Sequence, residues 1–104
     1  MKDCIFCNIE KERIIDKNEY FFVIRDIFPV AYFHTLIISN RCTSSYLDLT
    51  KEEHESLFEL IKKHSDLLSQ SDSSITGFNV GINIGEDAGQ TIFHCHIHLI
   101  PRRK

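Results

Sequence analysis

The segment that decides the fold is His94–Ile100, whose sequence HCHIHLI alternates histidine with cysteine or an aliphatic residue. Because successive side chains of a β-strand point to opposite faces, this pattern predicts a strand with its three histidines on one face. The residues between them are predicted to belong to the core: Cys95, Ile97 and Leu99. At a rise of about 3.3 Å per residue, His94 and His98 are about 13 Å apart. All three histidines therefore cannot bind one metal ion, since zinc–nitrogen bonds measure about 2.0–2.1 Å.

A glycine-bounded turn, Gly85–Thr91, immediately precedes this strand. Glycines allow backbone amides to approach a ligand closely, and clustered amides can bind an anion such as phosphate. A plain hairpin connection would have the same composition. The turn alone therefore leaves both interpretations open.

The rest of the chain predicts strands on both sides of one long helix. Residues 20–24 and 35–38 are rich in aromatic and β-branched side chains, which favour strands. Thr50 and Glu53 have the spacing of a capping box at a helix start. A mainly apolar stripe then recurs at three- and four-residue intervals, formed by Leu57, Leu60, Ile61, His64, Leu67 and Leu68. Residues 78–84 and 92–100 alternate as strands do. This order predicts an α+β fold with a largely antiparallel sheet.

Composition narrows the possible classes of protein. A chain of 104 residues with 42% hydrophobic and 26% charged residues is expected to form a single domain over residues 1–104. Its net charge of −3 argues against a general nucleic-acid surface. Its apolar runs are shorter than the roughly 20 residues of a membrane span, so no membrane partner is expected. The first residues do not resemble a signal peptide, which predicts a cytoplasmic location with reduced thiols.

The histidine pattern and its surroundings resemble the histidine triad (HIT) family. The motif His-φ-His-φ-His-φ-φ is matched at every position of His94–Ile100, and the similarity extends over nearly the whole chain. It includes Asp26, Asn83, Cys4 with Cys7, and the Ala-Gly-Gln-Thr stretch at residues 88–91. The resemblance implies an antiparallel sheet of about five strands, one long helix and one short N-terminal helix. It also implies a homodimer that shares a continuous sheet and binds a purine nucleotide.

The resemblance assigns chemistry to particular histidines. His96, the middle member, is expected to attack the α-phosphorus of a nucleotide and form a nucleotidyl-histidine that water then cleaves. His98 is expected to hydrogen-bond the α-phosphate or the bridging atom as the leaving group departs. His34 is expected to support this cluster and help to select a tautomer. An ordinary structural histidine at the end of a strand is the alternative for His34.

The resemblance also suggests a set of substrate-binding residues. Those expected near the phosphate oxygens are Asn83, Gly89, Gln90 and Thr91. Asp26 is expected to accept hydrogen bonds from the ribose, although a turn cap is the alternative. The expected apolar walls for the base are Ile5, Ile24 and Ile27, for which core packing is equally plausible. Asn83 and Thr91 could equally serve backbone hydrogen bonds.

A zinc ion is the expected cofactor by the same resemblance. Cys4 and Cys7 form a Cys-x-x-Cys pair, and many relatives combine such a pair with a distant histidine and the first histidine of the motif. Cys42 takes the place of the distant histidine here, which gives the ligand set Cys4, Cys7, Cys42 and His94. A closed site with three cysteines and one histidine is typical of structural zinc. Four free thiols and a redox-active pair are the alternatives.

These observations favour an enzyme that acts on the α-phosphate of purine nucleotide phosphoramidates or dinucleoside polyphosphates. Two alternatives belong to other classes of protein. The histidine cluster could bind nucleotides in a signalling module without useful turnover, or the chain could be a zinc-stabilised interaction protein. The leaving group and the base preference cannot be inferred from the sequence.

Overall fold

The computed structural model describes residues 4–104 and contains a five-stranded antiparallel sheet with one long α-helix. The sheet has the order β1-β2-β3-β5-β4. The elements are β1 Asp16–Lys17, β2 Phe21–Arg25, β3 Thr35–Ser39, α1 Lys51–Ser71, β4 Ile75–Gly81 and β5 His96–Arg103. The predicted α+β fold is confirmed. Two neighbours of β5 hold it inside the sheet, and they fix the direction of its histidines.

The capping box predicted at the start of α1 is present. The Thr50 hydroxyl accepts a hydrogen bond from the Glu53 amide at 3.1 Å, and the Glu53 carboxylate accepts one from the Thr50 amide at 2.8 Å. These bonds satisfy amides that have no partner inside the helix. Arg41 also donates to the buried Glu53 carboxylate at 2.9 Å, which ties the helix start to the segment after β3.

The two faces of the sheet carry separate apolar clusters. One face packs under Leu57 of α1 and includes Val23, Ile37 and Ile97, together with Cys95 just before β5. The other face packs against the N-terminal segment through the buried side chains Phe6, Ile24, Leu36 and Ile38. His98 pairs with Leu36, and Leu36 pairs with Ile24. Because paired residues share a face, His98 belongs to the face covered by the N-terminal segment.

The N-terminal segment contains two 3₁₀ turns, Ile5–Cys7 and Lys11–Arg13. The first of them is the short helix expected at this end. Within residues 4–104, no helix combines the length and the apolarity that crossing a bilayer requires.

Two predicted strand boundaries differ from the structure. β5 begins at His96 and not at residue 92, because Cys95 bonds through its amide to the Thr43 carbonyl in the loop after β3. β4 spans Ile75–Gly81 and not residues 78–84. The chain turns away after Gly81 to form the loop around the 3₁₀ turn Glu86–Ala88.

Candidate functional site

The His96 ring is held in one tautomer by the backbone. Its Nδ1 lies 2.7 Å from the His94 carbonyl oxygen, which can only accept a hydrogen bond. Nδ1 therefore carries the proton, and Nε2 keeps its lone pair. Nε2 has no hydrogen-bond partner among residues 4–104, and the half-buried ring lines a cavity. The edge contact with Phe6, at 5.0 Å between ring centres, supports the ring from the side. An oriented imidazole with a free nitrogen can act as a nucleophile.

His34 and His98 form a hydrogen-bonded pair beside His96. The Val30 amide donates to His34 Nδ1 at 3.2 Å, so the proton of neutral His34 is on Nε2. His34 Nε2 then donates to His98 Nδ1 at 2.8 Å, which leaves the remaining proton of His98 on its Nε2. Burial lowers the pKa of His34 and of His98, so both rings are neutral near pH 7. The chain of bonds turns His98 into a hydrogen-bond donor at Nε2.

The same bonds argue against a metal ion between Asp26, His34 and His98, although their ligand atoms lie within 4.8 Å of one another. Metal binding at His34 Nε2 would require its proton to move to Nδ1. Nδ1 already accepts the Val30 amide, so a proton there would oppose the amide hydrogen. The geometry therefore fits a proton-ordered hydrogen-bond chain better than a metal site.

A cavity of about 330 Å³ opens beside His96 and His98. Besides these two histidines, its lining contains most of the residues expected to bind substrate: Ile5, Asp26, Ile27, Asn83, Gly89 and Thr91. They come from four separate parts of the chain, and the fold brings them to one face of the sheet. The cavity has polar groups at the histidine end and exposed isoleucines at its rim.

Asp26 serves as a turn cap and also faces the cavity. Its Oδ1 accepts the Phe28 amide at 2.9 Å, and its Oδ2 lies 3.5 Å from His34 Nε2. The turn cap and the expected contact with ribose are both compatible with this position of Asp26.

The loop that precedes the histidines is stabilised by Asn83, which donates to the Gly89 carbonyl at 3.3 Å. Gly89 has φ of +92°, a conformation that strongly favours glycine.

Two residues expected to contact substrate are not part of the cavity lining. Ile24 is fully buried in the apolar cluster beneath the N-terminal segment, so it cannot form an exposed wall. Gln90 is only 5% exposed. Its amide donates to the Ser44 and Ile92 carbonyls, and its carbonyl accepts the Gly85 amide. The side chain of Gln90 is directed into the fold and holds the loop, so the structure does not bring it to the cavity with the other residues expected at the phosphate.

The four expected zinc ligands lie together next to the histidine site. The ligand atoms of Cys4, Cys7, Cys42 and His94 are all within 4.8 Å of one another. The sulfurs of Cys7 and Cys42 are 3.2 Å apart, and the Cys4 sulfur is 3.2 Å from His94 Nδ1. Tetrahedral zinc places such ligand atoms about 3.5–3.8 Å apart. These two separations are shorter than that, so binding of an ion would move the ligand atoms apart by roughly 0.3–0.6 Å.

The tautomer of His94 provides an independent test of this fit. His94 Nε2 donates to the Ser39 carbonyl at 2.7 Å, so Nδ1 carries a lone pair and faces the thiols. A histidine that ligates a metal normally donates its other N–H to such a group. Burial raises the pKa of the Cys4 thiol, but hydrogen bonds from Cys7 and Cys42 outweigh it and lower that pKa overall. The hydrogen bond with Cys42 raises the pKa of Cys7 to about 12. The donor set fits a zinc ion.

Arg13 and Phe28 also line the cavity, and the sequence did not single them out. Arg13 lies in a short charged segment and carries no motif. Phe28 lies in the loop after β2 next to Pro29, where an exposed aromatic ring is not distinguishable from a core residue by sequence alone. The positions of β2 and the N-terminal segment, which depend on tertiary packing, bring both residues to the site.

Residues 8–104 match the HIT domain family, and the chain belongs to that family. It is 35% identical to an uncharacterized HIT-like protein of Borreliella burgdorferi, with 100% of this chain and 78% of the relative covered. It is 33% identical to a bis(5'-adenosyl)-triphosphatase of Dictyostelium discoideum, with 92% of this chain and 64% of that relative covered.

A solved structure shares the fold over nearly the whole chain. It is the zinc-bound histidine triad family protein of Mycobacterium smegmatis, with a TM-score of 0.88 and 32% identity. The match covers 99% of this chain and 77% of that protein. The family and the fold together support nucleotide hydrolysis as the general class of activity.

Proposed function

We propose that this protein cleaves purine nucleotides at the α-phosphorus through a covalent intermediate on His96. The single observation that supports this most strongly is the tautomer of His96, which leaves Nε2 unprotonated and without a partner at the cavity. The expected substrates are nucleoside phosphoramidates and dinucleoside polyphosphates. The adenosyl triphosphatase among the relatives is consistent with the latter.

The reaction would proceed in two displacements. In the first, His96 Nε2 forms a bond to the α-phosphorus while the bond to the leaving amine or phosphate breaks. The N–H at His98 Nε2 hydrogen-bonds the departing atom, and the leaving group takes up a proton from solvent. In the second, water attacks the phosphorus and releases one proton to solvent, while the bond to His96 breaks and the nucleoside monophosphate is released. His34 acts as a positioning residue, because it reaches the substrate only through His98.

The expected site residues place the phosphate, the ribose and the base of the nucleotide in that order along the cavity. Thr91 and the loop at Gly89 are expected at the phosphate, supported by the Asn83 side chain. Asp26 is expected at the ribose hydroxyls, since its carboxylate faces the cavity while Oδ1 holds the turn. Ile5 and Ile27, 58% and 64% exposed, are expected to contact the base. An exposed apolar rim of this kind suits a flat aromatic ring.

The test is hydrolysis of an adenosine 5'-phosphoramidate by the wild-type protein and by His96→Ala. The variant is expected to lose at least about a hundredfold in kcat/KM, the lower end for removal of a group that acts directly in the chemistry. His54→Ala is the matched control, because His54 is on α1, packs against the Tyr46 ring and does not line the cavity. Full activity in His96→Ala would contradict the proposal.

The covalent step can be tested separately by trapping. Acid-quenched protein is digested after exposure to the substrate, and the peptide that contains His96 is expected to carry a nucleotidyl group. A protein that binds AMP tightly but shows no turnover and no modified peptide would instead be a nucleotide-binding module.

We further propose that Cys4, Cys7, Cys42 and His94 bind one structural zinc ion. The support is their proximity and the His94 tautomer. A zinc ion there would fasten the N-terminal segment to the loops after β3 and before β5. Metal analysis of protein purified without chelators tests this, with about one equivalent expected. A Cys4→Ser/Cys7→Ser double variant is expected to contain none.

We also propose that the protein is a homodimer. β4 is an edge strand of the sheet, and its Val80 is 51% exposed. On α1, Phe58 is 64% exposed. Unpaired edges and exposed apolar side chains are features that a partner subunit can cover. Sedimentation equilibrium tests the proposal, and a monomer at micromolar concentration would contradict it.

A further inference from the structure

Within residues 4–104, Arg13 is the one lysine or arginine that lines the cavity beside His96. Its half-buried side chain donates from Nη2 to the Arg25 carbonyl at 3.4 Å. This is the sole hydrogen bond of the guanidinium among the described residues, so its other donors are available. A guanidinium has five N–H donors in a planar fork, and one bond leaves a paired edge free.

The bond to Arg25 places the guanidinium away from the catalytic histidines. His98 on β5 is opposite Leu36 on β3, and Leu36 is opposite Ile24 on β2. Two strand spacings of about 4.8 Å therefore separate β5 from β2. Arg25 follows Ile24 at the end of β2. Arg13 thus lies at the β2 end of the cavity, whereas the α-phosphorus must lie at the β5 end.

The surroundings of Arg13 fit a base better than a phosphate. Ile5 and Ile27 line the same cavity and expose more than half of their side chains. The aromatic ring of Phe28 is 82% exposed and also belongs to the lining. A nucleotide whose phosphorus is at His96 places its ribose next and its base beyond the ribose. The base would then lie between apolar side chains, with a guanidinium at its edge.

The donor pattern of arginine distinguishes the two purines. Guanine presents two acceptors, O6 and N7, on the edge that a guanidinium can bind with two parallel hydrogen bonds. Adenine has an amino group at the position of O6, so a donor would face a donor. We propose that Arg13 makes the site selective for 6-oxopurine nucleotides, with guanosine phosphoramidates or guanosine polyphosphates as the preferred substrates. This inference rests on the proposed function and specifies its substrate class.

The experiment compares kcat/KM for guanosine and adenosine 5'-phosphoramidates that carry the same amine. The wild-type protein is expected to favour guanosine by about tenfold, which corresponds to about 1.4 kcal/mol. In Arg13→Gln, the ratio of guanosine to adenosine turnover is expected to fall to about one or below, because guanosine loses its paired donors and a glutamine amide can pair with adenine. Arg13→Lys keeps the charge without the fork, so it is expected to lose most of the preference.

Lys11→Gln is the matched control, because Lys11 is exposed in the same 3₁₀ turn and does not line the cavity. It is expected to keep the wild-type ratio. A wild-type preference for adenosine would overturn the inference, as would equal losses for both substrates in Arg13→Gln or an unchanged ratio in Arg13→Lys.

Calorimetric binding of GMP and AMP separates this inference from the proposed reaction. Tighter binding of GMP that disappears in Arg13→Gln is expected whether or not turnover occurs. Base selectivity without His96-dependent hydrolysis would defeat the proposed reaction alone. Hydrolysis through His96 with equal GMP and AMP affinities would defeat the role of Arg13 alone.

Discussion

His34 Nε2 donates a 2.8 Å hydrogen bond to His98 Nδ1, and the Val30 amide determines its direction. A backbone donor at one end of two imidazoles thus decides which nitrogen of His98 presents its proton to the cavity. His98 lies on β5, and His34 immediately precedes β3, close to the register pair Leu36 and His98. The pairing of β3 with β5 therefore brings together two histidines that are 64 residues apart along the chain.

Replacement of His34 is expected to reduce kcat more than it changes KM. His34→Phe removes the donor to His98, so His98 can adopt either tautomer. We expect a loss of about tenfold in kcat, a part of the hundredfold or more that proton transfer supplies. His34→Gln retains an N–H donor and is expected to recover part of the rate. A KM increase with unchanged kcat in His34→Phe would contradict this positioning role.

The free energy of unfolding is expected to decrease as the pH falls from 6.5 toward 5.5. Burial lowers the pKa of both His34 and His98 in the folded protein. The unfolded chain therefore binds protons first as the pH falls below about 6.5, and this stabilises the unfolded state. Urea unfolding at several pH values measures the slope. His98→Asn is expected to show a shallower slope than the wild type, and an equal slope would contradict the prediction.

Thr50→Ala is expected to lower the free energy of unfolding by about 1 kcal/mol. The substitution removes the hydroxyl that accepts the Glu53 amide at the start of α1. Lys51→Ala, one residue later on an exposed position, is the control and should be nearly neutral. Chemical denaturation measures both variants. Equal stability of the two variants would show that the capping box contributes nothing.

Gly89→Ala is expected to lower both stability and activity. The φ of Gly89 is +92°, and an added Cβ would lie 3.4 Å from Asn83 Nδ2. We expect a cost of more than about 1 kcal/mol, because alanine does not readily adopt this backbone conformation. Gly77→Ala is the comparison, since a Cβ there meets nothing within 4 Å and needs no positive φ. Thermal unfolding and phosphoramidate hydrolysis measure the two effects.

Cys42→His is expected to retain zinc, whereas Cys42→Ala is expected to lose most of it. Imidazole and thiolate are both good zinc ligands, but alanine supplies none. Cys95→Ala is the control, because Cys95 is buried under α1 and separate from the cluster. Metal content after dialysis measures the difference. Full zinc occupancy in Cys42→Ala would remove Cys42 from the proposed ligand set.

The sequence predicted those helix and strand features that depend on interactions between residues close together in the chain. The capping box at Thr50 and the alternation of Ile97 and Leu99 each identify an element from a few neighbouring residues. Gln90 could not be placed in this way, because a glutamine in a polar turn can face a ligand or the loop interior. Its direction depends on the Ser44 carbonyl, 46 residues away.

The cavity lining shows the same limit at longer range. Asp26 and His96 could be predicted through the family resemblance. Arg13 could not, because only the packing of the N-terminal segment on β2 brings it to the cavity. Ile24 is only two residues before Asp26, which lines the cavity, but packing in the sheet and against Phe6 buries the Ile24 side chain.

His94 is shared by the thiol cluster and the histidine site. Its ring faces Cys4 and Cys7, while its backbone oxygen holds the proton of His96 Nδ1. One residue therefore contributes its ring to the proposed zinc site and its backbone oxygen to the orientation of His96. Any change that displaced the His94 backbone would also release the Nδ1 proton of His96, so the order of the thiol cluster and the tautomer of His96 depend on the same peptide.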